Sequence, residues 1–242
     1  MTSPTLRGRL AARITALVLA TSLALSGCSL FERGPEPTPA ETAPTPAERV
    51  YDSQFTRDGT FQSHIEVKGA EDVDFVYTLY PTKSTPRTNE WYPRGKKFFS
   101  FTFQAYDLAQ GLRDPFRTKR KVYLDRIRVT SRTITSGGGR TERPYKLDAE
   151  ARRTTFDPEP LSTRYGMLIT SPKGAFELRN QAIKGTSPDT RGIELMFAAT
   201  VWIETAAGSG RFLERTVEQT VPIAIFESEE KTEVAKIPVN AN

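Results

Sequence analysis

Apolar and polar residues alternate along most of the chain beyond residue 60, and the period is two, that of a β-strand with one buried face. The clearest stretch is Lys97 to Tyr106, where Phe99, Phe101, Phe103 and Ala105 share one side and Ser100, Thr102 and Gln104 the other. Before it, Phe61, Ile65 and Val67 set a strand whose opposite face carries Gln62, His64 and Glu66, and Val73 to Tyr80 reads as its hairpin partner. After it, Lys121 to Thr135 places Tyr123, Ile127 and Val129 on one face and Arg126, Arg128 and Arg132 on the other, and closes with the turn Ser136-Gly137-Gly138-Gly139. Shorter strands are expected at Tyr145 to Leu147, Thr154 to Phe156, Tyr165 to Thr170 and Ala175 to Leu178, between turn sequences such as Asp157-Pro158 and Ser171-Pro172-Lys173-Gly174.

A long hairpin ends the pattern. Ile193, Leu195, Phe197, Ala199, Val201 and Ile203 point one way, residues 205–210 reverse the chain, and Val217, Val221, Ile223 and Ile225 return to the same core. Trp202 falls on the opposite face with Met196 and Thr200, and Pro222 marks an edge or a bulge because it lacks the N–H a central ladder needs. Helical periodicity is almost missing. The pattern therefore predicts an all-β fold, an antiparallel β-sandwich that is immunoglobulin-like in the broad sense but elaborated, over residues 50–242. A tandem pair divided near residue 150 is the alternative.

The first fifty residues follow other rules. Arg7, Arg9 and Arg13 precede an apolar run from Ile14 to Leu25, and Leu25-Ser26-Gly27-Cys28 follows with the only cysteine of the chain. This arrangement resembles the lipobox of bacterial lipoproteins. The resemblance implies that residues 1–27 are a signal peptide, that Cys28 is joined to a diacylglycerol, and that cleavage makes Cys28 the first mature residue. Two acyl chains bind a bilayer stably where one binds reversibly. The expected location is the extracytoplasmic face of a cell membrane, with the bilayer as a partner through Cys28. An uncleaved anchor is the competing reading, and Ser, Thr and Gly dilute the run against it. Residues 28–49 contain Pro35, Pro37, Pro39, Pro44 and Pro46, a spacer that at ~3.1 Å per residue reaches up to ~60 Å.

Removing the signal changes the charge argument. It takes three Arg and no acid from 34 basic and 29 acidic residues, so a net charge of +5 becomes +2, and no nucleic-acid partner is inferred. One histidine and no free thiol exclude Cys2His2 and three-His zinc sites and cysteine nucleophiles. A serine triad would need His64, which the alternation puts on a solvent face. Glu71, Asp72 and Asp74 near a turn raise calcium without the regularly spaced oxygen ligands of a calcium loop, so no metal or cofactor is assigned.

Two places could bind. The polar loop 81–96 carries Trp91 and Tyr92 beside Arg94, able to stack on a sugar or to fold back over one end of the sandwich. From Arg113 to Arg132 eight basic residues stand against Asp114 and Asp125, with Arg126, Arg128 and Arg132 in line. That stripe suits an acidic envelope protein or an anionic wall polymer, or else protects an edge and pairs internally, with Glu227, Glu229, Glu230 and Glu233 as counterparts. The expected function is a non-enzymatic binding or scaffolding module of the cell envelope, with no catalytic residues assigned. A carbohydrate- or wall-polymer-binding module and, behind it, a carboxylate-based hydrolase are the alternatives.

Overall fold

The computed structural model describes residues 53–82 and 89–227. The signal peptide, Cys28, the proline-rich spacer and Glu229, Glu230 and Glu233 lie outside these residues. A short helix α1 (Gln54–Asp58) opens the domain, capped by the Ser53 hydroxyl, which accepts from the Thr56 N–H, and stopped by Gly59 in the left-handed region. Three strands then meander: β1 (Phe61–Val67), β2 (Ala70–Pro81) and β3 (Lys97–Asp107). After a 3-10 turn comes β4 (Val122–Thr135), followed by β5 (Lys146–Glu150), one helical turn α2 (Ala151–Thr154), β6 (Ser162–Thr163) and β7 (Gly166–Leu168). The chain closes with β8 (Phe176–Ile183), β9 (Thr190–Glu204) and β10 (Phe212–Ala224).

Two antiparallel sheets result. One has the order β1-β2-β3-β8; the other runs β10-β9-β4-β7-β6, with β5 also paired to β4. Strands before residue 150 pair with strands after it, β3 with β8 and β4 with β9, and the buried apolar side chains form one cluster. The domain is thus a single sandwich, and the tandem alternative falls. Pro222 sits on β10, an edge strand, as its missing donor requires.

The core is where the alternation placed it. Phe99, Phe101, Phe103 and Ala105 are fully buried, as are Ile127, Val129, Leu195, Ala199, Val201, Val217, Val221 and Ile223 from the facing sheet. Aromatic contacts join the layers: Tyr77, stacked on its in-sheet neighbour Phe103 at 4.2 Å, meets Phe197 of the other sheet at 5.3 Å, and Phe101 meets Phe197 edge-on at 5.0 Å. At ~25 cal/mol per Å2 the three β3 phenylalanines alone contribute several kcal/mol, an upper figure because real unfolded chains already bury some surface.

Two local expectations are corrected. Thr154 to Phe156 is not a strand; Thr154 ends α2, and the next residues run along β8, where the Phe156 N–H donates to the Glu177 carbonyl. Tyr123 does not share the inner face with Ile127 and Val129. Between Leu124, opposite Val201, and Arg126, opposite Thr200, the register shifts by one residue at Asp125. An extra residue in a strand inverts the alternation beyond it. Leu124 therefore enters the core, fully buried, and Tyr123 lies beside Trp202 on the outer face.

Candidate functional site

The outer face of the larger sheet collects most of the charged residues singled out by the alternation. From β4 it carries Arg126, Arg128 and Arg132, all exposed. Arg126 Nε donates to Asp148 Oδ1 at 2.6 Å, and Arg128 Nε lies 3.5 Å from Asp148 Oδ2, so one β5 carboxylate spans two guanidinium groups. Arg132 pairs with Glu194 of β9. The hydrogen bond from Arg126 holds the Asp148 carboxyl below its usual pKa and raises that of Arg126 in return. Among the described residues the acid counterparts are Asp148 and Glu194. Glu227 pairs instead with Arg191, and Glu229, Glu230 and Glu233 lie beyond the described residues.

The stripe does not continue as one surface. Upstream of β4, Arg113 and Arg117 are exposed, but the next two cations turn inward: Arg120 makes a two-nitrogen clamp on Asp107 at 2.8 and 3.1 Å, and Lys119, almost completely buried, donates through Nζ to the Gly111 carbonyl. Lys121 stands 3.7 Å from Glu204, a buried carboxylate that also accepts from the backbone N–H groups of Lys121 and Gly210.

Beyond Arg126 and Arg128, β9 lays the half-buried Met196, Ala198 and Thr200, and β10 adds the exposed Glu214, Thr216, Glu218 and Thr220. The face is thus a basic row, a row of small and apolar side chains, and an acidic row. At one end stands an aromatic group that the alternation did not reveal as a unit. Tyr165 lies 5.2 Å from Trp202 and 4.4 Å from Phe212, Tyr123 meets Phe212 edge-on at 5.6 Å, and the Arg164 guanidinium sits 4.8 Å over the Tyr165 ring. The β4 bulge brings Tyr123 into it, and a bulge has no reliable sequence signature.

Loop 81–96 resolves the other way. Trp91 is only 4 % exposed and packs edge-on against Phe55 at 4.9 Å, while its carbonyl accepts from the Phe226 N–H. Its indole is a core group, not an open platform for a sugar. Tyr92 is half-buried and its hydroxyl donates to Glu90, whereas Arg94 is exposed. These three do not converge with Arg126, Arg128 and Arg132, which stand on the outer sheet face.

The alternation also carries a residue that was passed over. Lys97 is in phase with Phe99 and Phe101, and it is buried with them. Its Nζ donates to the carbonyls of Tyr92, Pro93 and Gly95 at 2.9, 2.8 and 3.0 Å, pinning the loop from beneath. Burial pulls its pKa down to about 8, against the opposing charge of Glu142.

His64 is exposed, as expected, with Nδ1 2.6 Å from Asp74 Oδ2. The three acids of the calcium reading face separate partners: Glu71 accepts from the Gly69 N–H, Asp72 lies 4.0 Å from Arg120, and Asp74 meets His64. Among the described residues no helix is long and apolar enough to cross a membrane. No family model matches the sequence, and no curated protein matches it.

Proposed function

We propose that the chain is an extracytoplasmic lipoprotein, anchored through diacylglyceryl Cys28, that acts as a non-enzymatic binding or scaffolding module of the cell envelope. Its working surface is the outer face of β4, β9 and β10. The observation that carries this reading is the fixed geometry of the Arg row: Arg126 and Arg128 share Asp148, and Arg132 is held by Glu194. Asp148 and Glu194 hold three guanidinium groups in a defined place, with Asp125 and Glu150 also near Arg126. Such an array favours an acidic protein face or an anionic wall polymer, through orientation and association rate more than through raw affinity.

Reversing the charge at Arg126, Arg128 and Arg132 together is expected to remove the proteins that co-purify with the membrane-bound chain, while the melting temperature moves little because exposed pairs contribute ~0.2–1 kcal/mol each. An unchanged set of co-purifying proteins would contradict the assignment of this face.

One observation favours a second reading, glycan binding: the half-exposed Tyr165 and Trp202 rings offer the apolar surface that the buried Trp91 does not. It shares the same face and differs in the ligand.

A further inference from the structure

The outer sheet face is self-complementary. Arg128 of β4, Ala198 of β9 and Glu218 of β10 stand at one level across three adjacent strands, since Arg128 is paired in register with Ala198 and Ala198 with Glu218. The basic and acidic rows therefore flank β9 at equal distances, about 4.8 Å per strand. Between them Ala198 and Thr200 are small enough for a second sheet to approach.

We infer that the partner of this face is a second copy of the chain, packed sheet on sheet about a two-fold axis that runs along β9. This rests on the reading of the face as the binding surface and names its occupant. Rotation about an axis parallel to β9 exchanges the two sides of the strand and keeps the level. It lays Arg128 of each copy over Glu218 of the other, and Ala198 and Thr200 over their own equivalents, with Met196 and the Arg132-paired Glu194 further along the same line. Rotation about an axis across the strands would lay the Arg row on itself, which like charges forbid.

The proposed anchor is compatible with the same axis. Ser53, the first described residue, is fixed to the end of β10, where its hydroxyl donates to the Pro222 carbonyl, and the Thr56 hydroxyl accepts from the Ala224 N–H. An axis along β9 puts this end of both copies on the same side, so two lipid-anchored chains reach one bilayer. An axis across the strands would send the two ends in opposite directions. The area is sufficient. Three strands the length of β10, 13 residues, cover roughly 600 Å2 per copy, at the small end of stable protein interfaces.

The sole native cysteine makes the test direct. In the full chain, Ala198→Cys and, separately, Thr200→Cys are introduced, and membranes are mildly oxidised with the parent chain as control for Cys28. Both variants are expected to give a disulfide-linked dimer that the parent lacks, because residues on the axis meet themselves. Adding Arg128→Glu or Glu218→Arg lowers the dimer about tenfold, since each sets like charges together twice. Mixing differently tagged Arg128→Glu and Glu218→Arg chains restores it as a heterodimer, an outcome that a folding defect in either chain cannot produce. No dimer, a dimer indifferent to both reversals, or reversal without recovery on mixing would each overturn the inference. If dimers are absent while reversal of Arg126, Arg128 and Arg132 still strips a different protein from the membrane fraction, self-association falls and the binding-face reading stands.

Discussion

Lys97 is the residue whose chemistry departs furthest from its surroundings. It occupies an inward position at the start of β3, in phase with Phe99, and three carbonyls use its three donors. An amine so placed loses its proton more readily than one in water, here from about 8 instead of 10.5. Between those values the unfolded chain binds the proton and the native chain does not, so stability rises with pH across that window and the gain disappears as pH falls through 8. Urea unfolding of the parent and of Lys97→Met should therefore diverge in the parent's favour from pH 8 to pH 10.5, by up to ~3 kcal/mol. A difference that stays flat with pH would show that the buried amine is not titrating there. The position was legible in the sequence, because the alternation places Lys97 inside; the partners were not, because loop carbonyls carry no side-chain signature.

At the scale of elements, long strands were legible and their local defects were not. The β3 and β9 faces follow the alternation over most of their length, and polar residues are among the exceptions: Ser100, out of phase in β3, and Glu204, the last residue of β9, are buried as well. The outer position of Tyr123 depends on one extra residue, Asp125, which leaves the composition of the strand unchanged. Short strands suffered most, since three or four residues hold too little period to separate α2 from a strand at Thr154. The charges of the Arg row were legible, and their partners were not, because Asp148 and Glu194 are brought in by long-range pairing. The β4–β7 contact at the bulge explains one glycine. Gly166 has φ +110°, and a Cβ there would lie 2.1 Å from the Leu124 carbonyl oxygen. Gly166→Ala is expected to cost several kcal/mol, through a strained backbone and a backbone clash, and to lift Tyr165 from Trp202. A lowered melting temperature with a shifted tryptophan emission would show both, and a wild-type melt would refute the close approach.

For the whole molecule, the sandwich separates the buried core from the face proposed to bind. One buried cluster, closed by Trp91 and α1 at the end where Ser53 enters, leaves the outer face of β4, β9 and β10 with its own charge pairs and the packed rings of Tyr123, Tyr165, Trp202 and Phe212. Charge pairs on an exposed surface tolerate reversal at little cost to folding, which makes the proposed binding role open to experiment.

The proposed place of action depends on the modification of one sulfur. Intact mass and fragment analysis of the N-terminal peptide from the membrane fraction tests it most directly. The expected peptide begins at Cys28 and carries a diacylglyceryl thioether. A chain recovered from the soluble cell interior with residues 1–27 attached and an unmodified Cys28 would contradict the account.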